Sequence, residues 1–407
     1  MSELLTQTGL IGFFRRHPSY AILTFAQTLS IIGSALTTLV VYSVIEGSDT
    51  SVMTYAMVYV FSVTPGVVIA HFSHLYRHWF SIGGALITST VFSAFALSLT
   101  WLGYRSDILG LLLCSELGLS LVAGFLAAYN SLYDKMNFAE EELEALTSVD
   151  TITFGAQTIL GLMLGTFLLV VIDPLALIEV DAVTFLLALA IFVSLNALYR
   201  PKFAHRPPRQ EAPTAIKDLT ELQRRLFWIG PILAAFGGSL MALGPAMIDA
   251  KGFGQYPAFT TLSPVLLFLV VRALGQLTGP VIARRFDLER LAEQSYLLPV
   301  SLIIYCGLYG IIWRSGSVFV TYGTTFAAHI VSNIVFIVAY YSNLKFFSSE
   351  QISSVSSKAY VYGTLLGTAS SIVGSLIADT FGFEVFFVVL GVVLAGFSLW
   401  TFAAARR

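Results

Sequence analysis

The sequence predicts an all-α membrane protein in which twelve transmembrane helices form two pseudo-symmetric six-helix bundles. Composition is the first ground: of 407 residues, 56% are hydrophobic and 11% charged, outside the range of soluble domains. The second is one long polar run, RPKFAHRPPRQEAPTAIKDLTELQRR at 200–225, with seven Lys or Arg and two adjacent prolines. It reads as a solvated linker. The third is that six apolar stretches of spanning length lie on each side of that run. Residues 1–199 therefore form one bundle, 200–225 the connection and 226–407 the second bundle.

Only helices satisfy their own backbone groups in lipid, and roughly 17 to 25 residues cross a hydrocarbon core of about 30 Å. The first span is 20–45; it is too long and too flecked with polar residues for a cleavable signal and stays as a helix. Span two, 52–72, carries Pro65, where a kink or a broken hydrogen bond is expected. Spans three and four are 79–102 and 108–132. The acidic stretch YDKMNFAEEELEALTSVD follows, with Glu140, Glu141, Glu142 and Glu144 read as a solvated turn or short surface helix. Span five, 151–172, has Gly161 and Gly165 at packing distance along one face, and span six is 175–198. Beyond the linker, 226–248 contains Pro231 and Pro245, and 259–283 contains Pro264 and Arg272. Spans 297–313 and 318–341 follow, then 359–378 with Gly363, Gly367 and Gly374, and last 385–405. Cys114 and Cys306 fall inside spans in opposite halves and read as small buried residues, with no disulfide framework.

The placement of charge orients the chain. With both termini in the cytoplasm, 18 of the 22 Lys and Arg fall on inner segments and only Arg105, Lys251 and Arg314 on outer loops; Arg272 alone lies within a span. Such a bias is the positive-inside pattern. A missed or invented span would scramble it. Two six-helix halves joined by a long connection is how secondary transporters with internal repeats are laid out.

Several stretches resemble the major facilitator superfamily, and within it the bacterial macrolide-efflux-like branch of drug and metabolite exporters. They are FRRHPSYAILTFAQTLSIIGSALTTL in the first span, PGVVIAHFSHLYRHW across the second and third, ILGLMLGTFLL in the fifth, and VDAVTFLLALAIF in the sixth. In the second half they are GPVIARRFD and LLGTASSIVGSLIADTFG. The resemblance covers nearly the whole chain and implies proton-coupled efflux of a small molecule from the bacterial inner membrane, by a monomer. It also implies that spans one, four, seven and ten line a central cavity, flanked by two, five, eight and eleven. The chain departs from the pattern. Where the loop between spans two and three normally reads Gly, three residues, Asp-Arg, this sequence has Ala70, His74 and Leu75. Only Arg77 and His78 keep its basic character, so a latch here is weakened or pH-sensitive. His74, Arg77, His78, Arg284 and Arg285 are the expected gating residues. Span five has Gly161-Leu162 in place of an antiporter's Gly-Pro, and span one has Gly33-Ser34 where relatives often carry an acid.

A charge deep in a bilayer needs a partner or a wet cavity. On the cavity-forming spans, Arg272 can hold a substrate carboxylate or phosphate by two hydrogen bonds, or pair structurally with Glu116. Glu116 is the expected proton carrier, or the other half of that inert pair. His329 either titrates or hydrogen-bonds Ser332 and Asn333. Gln27, Asn333, Tyr322, Tyr340 and Gln276 can add polar or aromatic contacts to a ligand, or serve interhelical packing. Asp150 sits at the cytoplasmic mouth of span five, solvated or serving proton entry. Asp173, Glu179, Asp181, Asp379 and Glu384 read as solvated or interfacial charge near the outer ends of spans.

His71, His74 and His78 recur at i, i+3 and i+7, which on one continuous helix would put them on a single face. No Cys or carboxylate completes a metal site there, so interfacial histidines are expected. No phosphate-binding loop is present, and no nucleophile can be paired with a base. Neither an enzyme, a cofactor nor a nucleic-acid partner is expected. The expected partners are protons, lipid and a small molecule. Arg272 favours an anionic metabolite such as a polycarboxylate siderophore over the cationic drugs of multidrug-resistance exporters. Uptake of an organic acid and a non-transporting receptor or scaffold remain the alternatives.

Overall fold

The computed structural model describes residues 9–46, 60–207, 209, 215–253, 264–283 and 285–404. Among them, ten helices are long and apolar enough to cross a membrane. Large side chains such as Phe92, Phe167, Leu186, Val392 and Trp400 point outward from them. This is a multi-pass membrane protein, because such faces have a favourable solvent only in lipid.

We number the helices that fall on the twelve expected spans α1 to α12. The first, α1, is Pro18–Glu46, preceded by a short helix Gly9–Arg16. The described part of the second span begins at residue 60 and breaks at Thr64 and Pro65 before α2, Gly66–His71. Proline has no N–H to give and its ring crowds the carbonyl four residues back, so the break falls where the sequence places it. Helix α3, Ile82–Ser106, starts where the Ser81 hydroxyl accepts from the Gly84 N–H at 3.1 Å and ends at left-handed Asp107. Next come α4, Leu109–Leu126, and, after a turn, a short helix Asn130–Asn137.

Helix α5, Leu143–Val171, begins well before the expected residue 151. The acidic stretch is its entry: Glu140–Glu142 form a 3-10 turn and Glu144 lies in the first helical turn, where carboxylates complement the unsatisfied N–H groups of a helix start. Asp173 accepts from the Leu175 N–H at 2.7 Å and caps α6, Pro174–Leu198. The polar run at 200–225 is less solvated than expected. Phe203 and Leu219 are buried, the His205 carbonyl accepts from the Ile82 N–H at 2.9 Å, and α7, Glu221–Asp249, already starts at a Thr220/Gln223 capping box. Pro231 and Pro245 lie inside α7 without ending it. The remaining helices are α8, Pro264–Ala283; α9, Leu297–Arg314; α10, Val318–Phe346; α11, Ile352–Phe381; and α12, Phe383–Ala404. Pro264 is the first described residue of α8, and the turn before it lies outside the described residues.

The chain divides into two compact units, one of Met1–Ile45, Pro65–Ala215 and Phe347–Lys358, the other of Glu46–Thr64, Ile216–Phe346 and Ala359–Arg407. Each repeats the other's pairings. In the first, α3 packs on α4 and α6, and α2 on α4; in the second, α9 packs on α10 and α12, and α8 on α10. Glycine makes the matching crossings: Gly161 and Gly165 of α5 meet α1 at Ala35 and Leu39, and Gly367 of α11 meets Gly238 of α7 backbone to backbone. Gly374 presses on Ser239, whereas Gly363 has only ordinary contacts. At the end of the second unit, Lys251 donates to the carbonyls of Trp313 (2.8 Å) and Ser315 (2.6 Å), closing the C-terminus of α9. Burial lowers the proton affinity of that ammonium.

Candidate functional site

Arg272 sits where two helices nearly touch. A Cβ on Gly275 of α8 would lie 2.5 Å from the Phe326 carbonyl oxygen and 2.9 Å from the His329 Cβ; one on Gly279 would lie 2.7 Å from the Asn333 Cβ. Two glycines four apart let α8 and α10 close to backbone contact. That contact sets His329 and Asn333, one turn apart on α10, opposite the α8 turns next to Arg272 and Gln276. The Arg272 side chain is half-buried, and its Nε is enclosed without a hydrogen-bond partner among the described residues. A guanidinium N–H in that position can donate to a ligand carboxylate or phosphate.

His329 turns away from the role of a free ligand contact. It is 1% exposed, its Nε2 hydrogen-bonds the Tyr309 hydroxyl of α9 at 2.8 Å, and the Tyr305 ring stands edge-on to it. The expected partners were Ser332 and Asn333. Ser332 instead donates to the His329 carbonyl at 3.3 Å, and the ring goes to Tyr309 because α9 packs on α10. Its Nδ1 is buried without a partner. Tyr322 donates to the Pro264 carbonyl at 2.9 Å and thereby ties α10 to the start of α8. Gln27, Gln276, Asn333 and Tyr340 are half-buried on their helices.

Glu116 lies on α4 in the first unit, 6% exposed, with no hydrogen bond or ion pair among the described residues of that unit. Arg272 belongs to the second unit. Asp150 is not a solvated mouth. Because α5 starts at Leu143, Asp150 lies two turns inside the helix, half-buried, and accepts a hydrogen bond from the Tyr20 hydroxyl of α1. Around that contact Phe13, Tyr20 and Phe138 stack together, and His17 bonds Glu142 at 3.0 Å.

The loop after α2 breaks into Gly66–His71, Ser73–Tyr76 and a 3-10 turn Arg77–Trp79. His71, His74 and His78 therefore do not share one helical face, and among the described residues no metal-ligand cluster forms. Arg77 is 1% exposed, and its carbonyl accepts from the Tyr129 hydroxyl at 2.9 Å. Burial lowers the Arg77 proton affinity, and the nearby Tyr129 and Tyr76 oppose that shift. Its side chain is part of the interior of the first unit. His74 and His78 are half-buried, Arg285 is exposed, and Arg284 lies outside the described residues. Cys306 is buried as expected, but Cys114 is exposed on α4.

Asp181 is the residue that sequence reasoning misjudged. It is 1% exposed rather than interfacial, and it accepts from the Thr37 hydroxyl of α1 at 2.6 Å. The signal was in the sequence register: Leu177, Ile178, Asp181, Phe185, Ala188, Phe192 and Leu195 form the buried stripe of α6. An acid on that stripe faces inward.

No protein-family profile and no curated protein matches this chain. Solved structures do. The human organic anion transporter MFSD10 aligns over 94% of this chain and 97% of its own at 11% identity, with a TM-score of 0.70. A bacterial homologue of the iron transporter ferroportin, in an outward-facing state, aligns over 96% and 100% at 14% identity, TM-score 0.71. The E. coli fucose:proton symporter FucP, a major facilitator superfamily transporter, aligns over 94% and 98% at 13% identity, TM-score 0.63. Identities this low speak to architecture alone. The chain has the all-α, two-bundle major facilitator fold.

Proposed function

We propose that the chain is a secondary active transporter that exports a small amphiphilic or anionic metabolite against protons by alternating access. Its six-helix halves would be 1–199 and 226–407, joined by 200–225. Arg272 is the observation that carries the substrate class: a guanidinium whose enclosed Nε has no partner among the described residues, at a backbone-close helix crossing, suits a carboxylate or phosphate. MFSD10, a structural neighbour, is an organic anion transporter. Polycarboxylate siderophores fit the same chemistry. Glu116 is the proposed proton carrier, because it is a buried carboxylate and burial disfavours the charged form. His329, Asn333, Gln27, Gln276 and Tyr322 are proposed to shape the path, with Asp150 at proton entry. His74, Arg77, His78, Arg284 and Arg285 are proposed at the inner gate. The motif resemblance to macrolide-efflux-like exporters favours efflux. The charge bias supports a bacterial inner-membrane protein with both termini in the cytoplasm, acting as a monomer.

Proteoliposomes test this. Wild type, Arg272→Ala and Glu116→Gln are compared for proton movement driven by siderophores, organic acids and cationic drugs. Opposed flux of protons and an anion, lost in Glu116→Gln and weakened tenfold or more in Arg272→Ala, is the expected result. Flux in one direction for both would mean uptake, as in the fucose:proton symporter. An unchanged Arg272→Ala would remove the anionic preference, and no flux for any compound would favour a receptor or scaffold.

A further inference from the structure

The Asp181 carboxyl sits in an apolar cluster where α1 meets α6. Leu36, Val40, Leu97, Leu177, Ile178 and Phe185 form that cluster, and Gly33 of α1 leaves the space that the Asp181 Oδ1 and Thr184 Oγ1 occupy. Among the described residues its hydrogen-bond partners are hydroxyls. From α1 it meets Thr37 and Gly33, and from its own helix Thr184. Glu179 of α6 and Arg105 of α3 both engage Trp101, by a hydrogen bond at 3.3 Å and a ring contact at 5.0 Å. Tyr104 packs against the cluster.

The hydroxyl protons can be counted. Thr37 has one, given to Asp181 Oδ2 at 2.6 Å. Thr184 also has one, and its better acceptor is the Asp181 carbonyl at 2.8 Å. The remaining contact, Thr184 Oγ1 to Asp181 Oδ1 at 3.2 Å, then sets two oxygens together with no proton between them unless Asp181 supplies it. We propose that Asp181 is a proton-binding site: a carboxylic acid with its proton on Oδ1 directed at Thr184 of the same helix, while its Oδ2 takes the Thr37 hydroxyl of α1. Releasing that proton to solvent leaves an anion in an apolar cluster, and the water needed to hydrate it loosens the α1–α6 contact. The proposal stands on this contact alone and does not need the transport reading.

Infrared spectroscopy of the full chain in lipid nanodiscs tests it. With aspartate carboxyl carbons isotopically labelled, wild type at neutral pH should show a protonated-carboxyl band that shifts with the label, which separates it from Glu116. The band should vanish in Asp181→Asn. In Thr184→Val it should move to the position of a more weakly hydrogen-bonded acid, a result that does not depend on Asp181→Asn folding and that excludes buried Asp134 as the source. No label-sensitive band, or one unchanged in Thr184→Val, overturns the proton site. Hydrogen exchange near Gly33 should rise in wild type relative to Asp181→Asn, each compared at the same alkaline pH. Equal exchange overturns the loosening.

Discussion

Gly33 shows how much a single absent side chain decides. A Cβ there would overlap Asp181 and Thr184, so Gly33→Ala must push α6 off α1 or turn the acid out of its site. Overpacking of this kind costs about 1 to 3 kcal/mol. A thermal-unfolding midpoint in detergent should therefore fall for Gly33→Ala and stay near wild type for Gly110→Ala, where nothing lies within 4 Å of the added carbon. At this scale the sequence was partly legible. Glu116 and Arg272 were found because charge inside an apolar run is conspicuous wherever it points. Asp181 was misread because distance from a span end was weighed above helical register, and its spacing from Ile178 and Phe185 was the better guide. The burial of Arg77 was not legible, because a basic residue in a polar loop gives no sign that it will be 1% exposed.

Helices begin and cross for reasons that lie in a few residues. Ser81 and the Thr220/Gln223 box fix the starts of α3 and α7; replacing Thr220 by Ala should cost about 1 kcal/mol of stability and raise hydrogen exchange in the first turn of α7 only. The α8–α10 crossing is more demanding. Gly275→Leu cannot be accommodated beside the Phe326 carbonyl and the His329 Cβ without separating the helices, and it would move Arg272 and disrupt the Tyr309–His329 hydrogen bond. We expect Gly275→Leu to abolish ligand-dependent stabilisation of the purified protein, with Gly307→Leu, on an open face of α9, as the tolerated control. Equal behaviour of the two would show that the close crossing does not position the site. Spans were legible because apolar length is a strong signal, and their crossings at Gly161, Gly165 and Gly367 because small residues four apart are a recognisable pattern. The entry of α5 was not, since a run of glutamates reads as loop until the helix that it caps is seen.

At the scale of the molecule, the two units repeat one set of pairings: α3 with α4 and α6 against α9 with α10 and α12, α2 with α4 against α8 with α10. In a chain with an even number of spans both termini emerge on the same side, so the basic residues decide which side that is. Arg209 and Gly316 are informative probes, because Arg209 lies in the connection between the halves and Gly316 in the short turn between α9 and α10. In a background with Cys114 and Cys306 replaced by Ala, a cysteine at 316 should react with a membrane-impermeant maleimide added to intact cells. A cysteine at 209 should react only after the cells are opened. The reverse pattern would invert the molecule and move the proposed gate to the opposite face. Labelling of both from outside would mean an odd number of crossings between 209 and 316 is wrong by one, so that one of α7, α8 or α9 fails to span.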